Sequence, residues 1–352
     1  MKKLSIGVIG CGYWGPNLIR NFANCPLAEL SAICDANPER LAAVGRAYSQ
    51  SQLVNSLDQL LELPLDAVAI ATPVSTHYSL ATRCLEAGLH VLVEKPLAAS
   101  VNEAQALVTL AERQGRVLMV DHTYLFSPAI RRIKSLIEEE ELGDLYYVDS
   151  VRINLGLFQH DVNVIWDLAP HDLAIVSYLL EHEPRSISAW GCGHCDPDIH
   201  DIAYVNADYG DSLLANFHVN WLSPVKVRQM IFGGSRKSLI FNELDAGEPV
   251  KLYSKGVEFG ATAEERRKWM VNYRSGDVWS PHIEPGEPLQ AMVRHFAECI
   301  LEGKTPDSDG RLGLRVVRML EAATRSIRAQ GGRVVLANGS YTNGARATAR
   351  AV

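Results

Sequence analysis

The stretch Val8-Ile9-Gly10-Cys11-Gly12-Tyr13-Trp14-Gly15-Pro16-Asn17 carries three glycines in GxGxxG spacing, directly after an apolar run. The spacing alone is a weak signal, because glycine is common in any tight turn between a strand and a helix. Here the turn opens a helix, so backbone N–H groups and the helix N-terminus are expected to meet a pyrophosphate. We expect Gly10 to permit the turn, Gly12 to admit the phosphate and Gly15 to let the helix pack on the strand.

The first 120 residues alternate short apolar runs with amphipathic stretches, which predicts β-α-β units and a parallel sheet. The predicted strands are Leu4–Ile9, Leu30–Cys34, Ala67–Ala71, His90–Val93 and Arg116–Val120, and the predicted helices are Trp14–Ala23, Pro38–Tyr48, Thr76–Ala87 and Val101–Gln114.

From about Leu145 the pattern changes to longer alternating strands with hairpin signals between them. One helix is predicted among these strands, at Asp167–Leu180, and two follow at Leu289–Glu302 and Arg311–Ala329. We therefore predict an α/β protein. It has a Rossmann doubly wound parallel sheet over residues 1–122, an α+β domain with a large, mostly antiparallel open sheet over 123–337, and a flexible tail over 338–352.

The composition argues against nucleic acid and membranes as partners. The 352 residues carry a formal net charge of −7 and no long basic run, which argues against nucleic acid as a partner. No apolar run approaches the roughly 20 residues of a membrane span, so we expect a cytoplasmic protein without a membrane partner. The seven cysteines follow no disulfide rhythm. Cys192-Gly193-His194-Cys195 is the one cluster whose residue types suit metal or redox chemistry. A closed metal site requires four ligands, and a partner pair is missing from the sequence. We therefore interpret the cluster as a loop between strands and predict no metal.

Asp35 is predicted to select the nucleotide. It lies about 20 residues beyond Gly15 at the end of a strand, where a carboxylate accepts both ribose hydroxyls. A 2′-phosphate would meet that negative charge, so NAD is expected rather than NADP. The predicted cofactor-binding set also contains Tyr13, Trp14, Thr72, Pro73, His77, Glu94, Lys95 and Trp166, although Tyr13 and Trp14 are as readily explained by packing.

Three residues are predicted to carry the chemistry. Lys95, held beside Pro96 at the carboxyl end of a strand, is placed to polarise a substrate hydroxyl. Asp167 and His171 are four residues apart on one helix face, where the carboxylate would orient the imidazole as a base. The alternatives are a solvated lysine paired with Glu94 and an N-cap aspartate near a surface histidine.

Polar residues around these positions are candidates for holding a polyhydroxylated substrate. The predicted substrate-binding residues are His122, Tyr124, Arg152, Asn154, Asn163, His171 and His282, with Gln159, His160 and Asp161 nearby in the chain. A diphosphate, if the substrate has one, would be met by one of Lys226, Arg228, Arg236 and Arg274, or by His282.

The chain resembles the Gfo/Idh/MocA family of glucose-fructose oxidoreductase, inositol dehydrogenase and rhizopine-catabolism proteins. The resemblance rests on VIGCGYWGPNLIRNF, ATPVSTHYSLATRCLEAGLHVLVEKPLA, WDLAPHDLAIVSYLL and EPLQAMVRHFAECILEGKTPDSDGRLGLRVVRMLEAA. It implies a Rossmann domain followed by a domain with an open sheet, and NAD(P)-linked oxidation or reduction of a sugar or cyclitol. It also implies an acid/base set made of Lys95 in the EKP motif and Asp167 and His171 in the DxxxH motif.

Two segments depart from the common family pattern, both at the substrate pocket. The approach to the catalytic helix reads Asn163-Val164-Ile165-Trp166 instead of a glycine-rich segment, and DHTYLF follows the strand that ends at Val120. The segment RINLGLFQHDVNVIWDLAPHD is similar to members from sugar-nucleotide pathways, which favours a nucleotide-linked hexose. The alternatives are a cyclitol or free-sugar dehydrogenase, an NAD-using glycosidase, and a non-enzymatic sensor. A homodimer or homotetramer is expected, because a large open sheet usually finds a partner.

Overall fold

The computed structural model describes residues 3–156, 162–259 and 271–336. Its first sheet has six parallel strands in the order β3-β2-β1-β4-β5-β6, and the order reverses between β1 and β4. The Rossmann prediction is therefore confirmed. The strands are β1 (Leu4–Ile9), β2 (Ala28–Cys34), β3 (Gln52–Val54), β4 (Ala67–Ile70), β5 (His90–Glu94) and β6 (Leu118–Asp121).

Both faces of this sheet are buried, as expected where helices cover a parallel sheet on both sides. In β4, Ala67 and Ala69 face one apolar cluster, whereas Val68 and Ile70 face the other. The helices of this half are α1 (Gly15–Ala23), α2 (Pro38–Gly45), α3 (Leu57–Leu61), α4 (His77–Glu86) and α5 (Val101–Gln114). The sequence patterns missed β3 and α3, because runs of three and five residues are too short to show a period.

The second sheet has nine strands and is antiparallel except where β7 pairs with β10, which confirms the mostly antiparallel open sheet. In the order of pairing its strands are β16 (Val278–Trp279), β13 (Val250–Tyr253), β12 (Ser238–Asn242), β11 (Leu222–Gly234), β7 (Leu145–Leu155), β10 (Leu213–Asn220), β9 (Ile202–Gly210), β8 (Ser186–Cys192) and β17 (Val334–Val335). A separate hairpin joins β14 (Gly256–Phe259) to β15 (Val271–Arg274).

The remaining helices are α6 (Pro128–Glu138), α7 (Val164–Leu180), α8 (Pro288–Glu302) and α9 (Gly310–Arg328). Helix α7 is apolar on nearly all sides and is buried along most of its length. It begins three residues before the predicted start, because the side chain of Asn163 caps it by accepting from the N–H groups of Ile165 and Trp166. The structure thus assigns the N-cap to Asn163, and Asp167 lies in the first turn.

Helix α9 joins the two sheets, although it comes late in the chain. It packs against α5 on one side and against α7 and β8 on the other. Just before it, the carbonyl of Ser308 accepts from the N–H of Val120 on β6, and the Ser308 hydroxyl donates to the carbonyl of Val120 at 2.8 Å. The segment just before α9 therefore pairs with β6, the edge strand of the Rossmann sheet. Among the described residues, no helix has both the length and the apolar character needed to cross a bilayer.

A buried ion pair links α7 to the inner face of the second sheet. Arg152 on β7 donates to Oδ1 of Asp172 through Nε at 2.9 Å and Nη2 at 2.7 Å. Ser150, two residues earlier on the same face, donates to Oδ2 of Asp172 at 2.8 Å. Both charged side chains are almost fully buried, so each depends on the other for compensation.

Replacing Asp172 with Asn is expected to lower the free energy of unfolding by about 3 kcal/mol, because Arg152 keeps its buried charge and, of its two carboxylate partners, retains only Glu243. The matched control is Asp149→Asn on the exposed face of β7, which should change stability by less than about 0.5 kcal/mol. Urea unfolding of both variants measures the difference, and equal midpoints would show that the buried pair adds nothing.

Candidate functional site

The glycine loop has the form that a phosphate cradle requires. Gly10 has a φ of +101°, and a Cβ on Gly15 would lie 2.0 Å from the carbonyl oxygen of Gly10. By contrast, a Cβ on Gly12 would face open space, with only Nη1 of Arg40 as close as 4.0 Å. Among the described residues no side chain caps the N-terminus of α1, so this helix end is open to a ligand. These features fit a dinucleotide pyrophosphate.

Asp35 stands at the end of β2, where the sequence placed it. Its Oδ2 accepts from the N–H of Cys11 at 2.6 Å, and its Oδ1 accepts from the N–H of Asn37 at 2.7 Å. The carboxylate is therefore aimed by two backbone donors beside the glycine loop. This placement fits a ribose with both hydroxyls free.

The two aromatic residues of the loop have different surroundings. Tyr13 is 89% exposed, and nothing in the described contacts ties it to the protein core. Trp14 packs against the core, and its indole Nε1 donates to Oδ2 of Asp121 at 2.9 Å. Trp14 thus links the glycine loop to the carboxyl end of β6.

His77 fixes the loop that follows β4. Its two ring nitrogens lie 2.9 Å from the carbonyl oxygens of Pro96 and Thr72. Its side chain is buried, and burial lowers its pKa. Both nitrogens face the protein backbone, so the ring holds Thr72 and the Lys95–Pro96 turn in place. The adjacent Thr72 and Thr76 hydroxyls are 2.7 Å apart.

Lys95 lies where the Rossmann sheet meets α7. Its Nζ donates to the backbone carbonyl of Asp167 at 2.9 Å and lies 3.6 Å from Oδ1 of the same residue. The other carboxylate oxygen of Asp167 accepts from the indole Nε1 of Trp221 at 3.0 Å. The lysine is therefore held by Asp167, and it does not follow the alternative of a solvated lysine paired with Glu94.

His171 lies one helical turn further along α7. Burial and the positive charges of Lys95 and Arg152 hold its pKa well below the ordinary value, so its ring is neutral near pH 7. Its Nδ1 is buried and has no hydrogen-bonding partner among the described residues. The expectation that Asp167 orients this ring is corrected, since the carboxylate of Asp167 contacts Lys95 and Trp221.

Three further ionisable groups surround Lys95 at the ends of β5 and β6. Glu94 and Asp121 are register partners on the two strands, and burial and the mutual charge hold the pKa of Glu94 well above its usual range. His122 is buried with neither ring nitrogen bonded among the described residues. Burial and the charge of Lys95 lower its pKa to about 3.

A charged network borders His171 on the sheet side. Glu243 accepts from Arg152 at 3.0 Å and from Arg228 at 2.5 Å, and Arg228 also donates to the hydroxyl of Tyr124 at 3.0 Å. The Tyr124 ring meets the His171 ring edge-on at 5.0 Å between centroids. The predicted residues Tyr124, Arg152 and His171 are therefore brought together.

Other predicted residues have different surroundings. Trp166 donates to the hydroxyl of Thr324 on α9, and Asn163 is occupied as the helix cap. His282 is mostly exposed and contacts Glu284, and no described contact joins it to this site. Arg236, two residues beyond the end of β11, donates to the carbonyl of Glu140, and Arg274 donates to the carbonyl of Arg236. Lys226 is exposed. Asn154 has a buried Oδ1 without a described partner. Gln159, His160 and Asp161 lie outside the described residues, as does the predicted tail.

Sequence reasoning missed Trp221, Glu243, Asp121 and Asp172. In the folded protein, each of these residues contacts a residue that the sequence predicted to be in the site. Each is distant from that residue in the chain, so no local motif pointed to it. Ser150 and Arg152, which alternate with Val148 on the inward face of β7, were an available signal, because a buried cation requires a buried partner.

The six-stranded parallel sheet, the glycine loop and Asp35 define a dinucleotide-binding Rossmann protein. The model of the oxidoreductase family with an NAD-binding Rossmann fold matches residues 4–122, and the model of the GFO/IDH/MocA C-terminal domain matches residues 130–240. The chain belongs to the Gfo/Idh/MocA family, and it is an NAD-dependent oxidoreductase.

The chain is 31% identical over 273 residues to the uncharacterised oxidoreductase YdgJ of Escherichia coli, covering 70% of this chain and 73% of that one. It is 26% identical over 343 residues to scyllo-inositol 2-dehydrogenase (NAD⁺) of Bacillus subtilis, covering 93% and 94%. The solved structure of UDP-N-acetylglucosamine 3-dehydrogenase GnnA from Acidithiobacillus ferrooxidans superposes with a TM-score of 0.79 at 26% identity, covering 94% of this chain and 99% of that one.

Replacing Gly12 with Ala is expected to leave the melting temperature unchanged and to weaken NAD binding at least about tenfold, because the added methyl meets the ligand and not the protein. Gly15→Ala is the matched contrast. Its methyl meets the backbone of Gly10, so it should cost about 1 to 3 kcal/mol of stability. Thermal melting and NAD titration separate the two effects, and a destabilised Gly12→Ala protein would contradict this account of the loop.

Proposed function

We propose that the protein transfers a hydride between NAD and a ring carbon of a sugar, and that this sugar is a nucleotide-linked hexose. The observation that carries the proposal is the position of the Lys95 ammonium. It is held by the carbonyl and carboxylate of Asp167, one helical turn from the neutral imidazole of His171.

The proposed cofactor site runs from the glycine loop to Lys95. Gly10, Gly12, Gly15 and Asp35 would hold the adenosine and pyrophosphate, while Thr72, Pro73 and Glu94 would line the nicotinamide end. When bound, NAD accepts or returns the hydride of a substrate C–H bond. The other predicted cofactor residues, His77, Trp14 and Trp166, would support this surface from beneath through their bonds to Thr72, Asp121 and Thr324.

His171 is the proposed acid/base. Because its Nδ1 is buried, Nε2 is the nitrogen that a substrate hydroxyl reaches, and the neutral ring then carries its hydrogen on Nδ1. In oxidation, Nε2 takes the hydroxyl proton while Lys95 donates a hydrogen bond to the same oxygen and stabilises the developing negative charge. In reduction, the proton returns from Nε2 to the new alkoxide. Asp167 acts by positioning Lys95.

A nucleotide-linked hexose is favoured over a free cyclitol on two grounds. The chain is 34% identical to UDP-N-acetylglucosamine 3-dehydrogenase of A. ferrooxidans over 194 residues, and it aligns with the structure of that enzyme over nearly its whole length. Next to His171, Tyr124, Arg152 and Asn154 offer polar atoms suited to the hydroxyl and acyl groups of a sugar ring.

The substrate class is tested by incubating the enzyme and NAD with UDP-N-acetylglucosamine, other nucleotide sugars, scyllo-inositol and free hexoses at equal concentration. Absorbance of the reduced nicotinamide reports turnover. We expect kcat/KM for a nucleotide sugar to exceed that for the corresponding free sugar by at least about 100-fold. Turnover of scyllo-inositol alone would transfer the assignment to a cyclitol, and binding without hydride transfer across the panel would favour a sensor.

Replacing Lys95 with Met is expected to cut kcat by about 100-fold or more, the usual scale for a positioned acid/base group, while NAD binding changes little. The variant should also move the pH profile. In the native enzyme the acid limb for alcohol oxidation is expected well below pH 6.5, because His171 must lose its proton and its pKa is depressed. Removing the charge of Lys95 raises that pKa, so the acid limb should move upward.

A conservative Lys95→Arg variant is the control, since it retains the positive charge and should leave the acid limb near its native position. Unchanged turnover in Lys95→Met would remove Lys95 from the mechanism. An unmoved acid limb would mean that a group other than His171 titrates.

The protein is proposed to act as a homo-oligomer. The central strands of the second sheet expose Tyr147, Leu155 and Leu214 on the face away from α7. Exposed large side chains on adjoining strands are typical of a surface that a second copy covers.

The proposed compartment is the cytoplasm. All seven cysteines are free thiols, and a reducing compartment is where such a set persists without pairing.

A further inference from the structure

The loop between β8 and β9 holds a Cys–His–Asp cluster that the oxidoreductase site does not use. Asp201 is buried, and its Oδ1 accepts from Nδ1 of His194 at 2.8 Å. Nε2 of the same ring lies 4.0 Å from Sγ of Cys192. A thiol, a base and a carboxylate that orients the base are the parts of an activated cysteine nucleophile.

Hydrogen bonds within the loop support this arrangement. Oδ2 of Asp201 accepts from the backbone N–H groups of His194 at 2.7 Å and Cys195 at 3.1 Å, and the N–H of Asp201 donates to the carbonyl of Cys192 at 3.0 Å. Burial acts to raise the pKa of Asp201, but the hydrogen bonds from His194 and Cys195 outweigh it and hold the pKa below its usual value. The carboxylate is therefore charged at neutral pH, and because it engages Nδ1 of His194, Nε2 is the ring nitrogen that faces Cys192.

Exposure separates this pair from the other cysteines. Cys192 and Cys195 are exposed, while the other five cysteines are buried. Cys299 offers an internal comparison, because its Sγ lies 3.4 Å from Nε2 of His295. Burial and the nearby Asp307 raise the pKa of Cys299 to about 11, so that thiol stays protonated and inaccessible.

We propose that Cys192 is a peroxide-reactive thiol, activated by His194 and Asp201, and that Cys195 resolves its oxidised form into a disulfide. The thiol of Cys192 passes its proton to Nε2 of His194, and the thiolate attacks one oxygen of hydrogen peroxide. An S–O bond forms, the O–O bond breaks, and the departing hydroxide takes the proton from the imidazolium as water.

The second step forms the disulfide between Cys192 and Cys195. The sulfur of Cys195 attacks the sulfenic sulfur of Cys192, so that an S–S bond forms and the S–O bond breaks. The thiol proton leaves with the hydroxyl as a second water. Peroxide is thereby reduced to two waters while two thiols are oxidised, and a cellular dithiol reductant restores them by exchange. The two cysteines stand in Cys-x-x-Cys spacing, three positions apart in the chain.

The first arm of the test needs no variant. The intact protein is alkylated with limiting iodoacetamide at pH 7, and peptide mass spectrometry compares the cysteines. We expect Cys192 to react about tenfold faster than Cys195, with Cys299 unlabelled. Equal rates at Cys192 and Cys195 would overturn the activation by His194.

The second arm uses His194→Gln, which should bring the rate at Cys192 to within about twofold of that at Cys195. Thermal melting confirms that the variant is folded. An unchanged Cys192 rate in a folded His194→Gln protein would overturn the role of the imidazole.

The third arm uses hydrogen peroxide. In the native protein we expect an internal Cys192–Cys195 disulfide, detected as a peptide lacking two hydrogens and restored by dithiothreitol. In Cys195→Ser we expect a sulfenic acid at Cys192 that dimedone traps. Over-oxidation of Cys192 in the native protein without disulfide would overturn the resolving role of Cys195.

Discussion

The contact between the ammonium of Lys95 and Asp167 joins the two halves of the molecule at the point where the chemistry is proposed. Lys95 belongs to the turn after β5, and Asp167 belongs to the first turn of α7. Without a partner, a cation that is four-fifths buried would be costly. The pairing orders the lysine and also sets the position of α7, and hence of His171, relative to the Rossmann sheet.

Cations and carboxylates are paired around this contact. Burial, together with the cations Lys95 and Arg152, lowers the pKa of His171, while Glu243 and Asp172 balance Arg152 and Arg228. Burial of Glu94 beside Asp121 raises the pKa of Glu94, which limits the negative charge that faces Lys95. A neutral imidazole beside a charged ammonium is the combination that proton transfer to or from an alcohol requires.

Supporting bonds to this centre come from several parts of the chain. Trp221, which follows β10, holds the carboxylate of Asp167, and the carbonyl of Asp201 accepts from the N–H of Trp221. The loop that carries the proposed reactive thiol therefore also supports the residue that positions Lys95. Helix α9 braces the same region from the other side, where Thr324 accepts from Trp166.

The sequence by itself determined the Rossmann sheet and the form of the glycine loop, because these depend on local periodicity and on motifs whose spacing reflects backbone geometry. It also singled out Asp35, Lys95 and His171 as candidates for the site. Only the tertiary structure decided which partner each charge takes. Asp167 and His171 share a helix face at four-residue spacing, yet the carboxylate contacts a lysine from another element and an indole from a third. Side-chain pairing across elements depends on how sheets and helices pack. No local sequence pattern encodes that the carboxylate of Asp167 turns towards the ammonium of Lys95 and away from the neutral ring of His171.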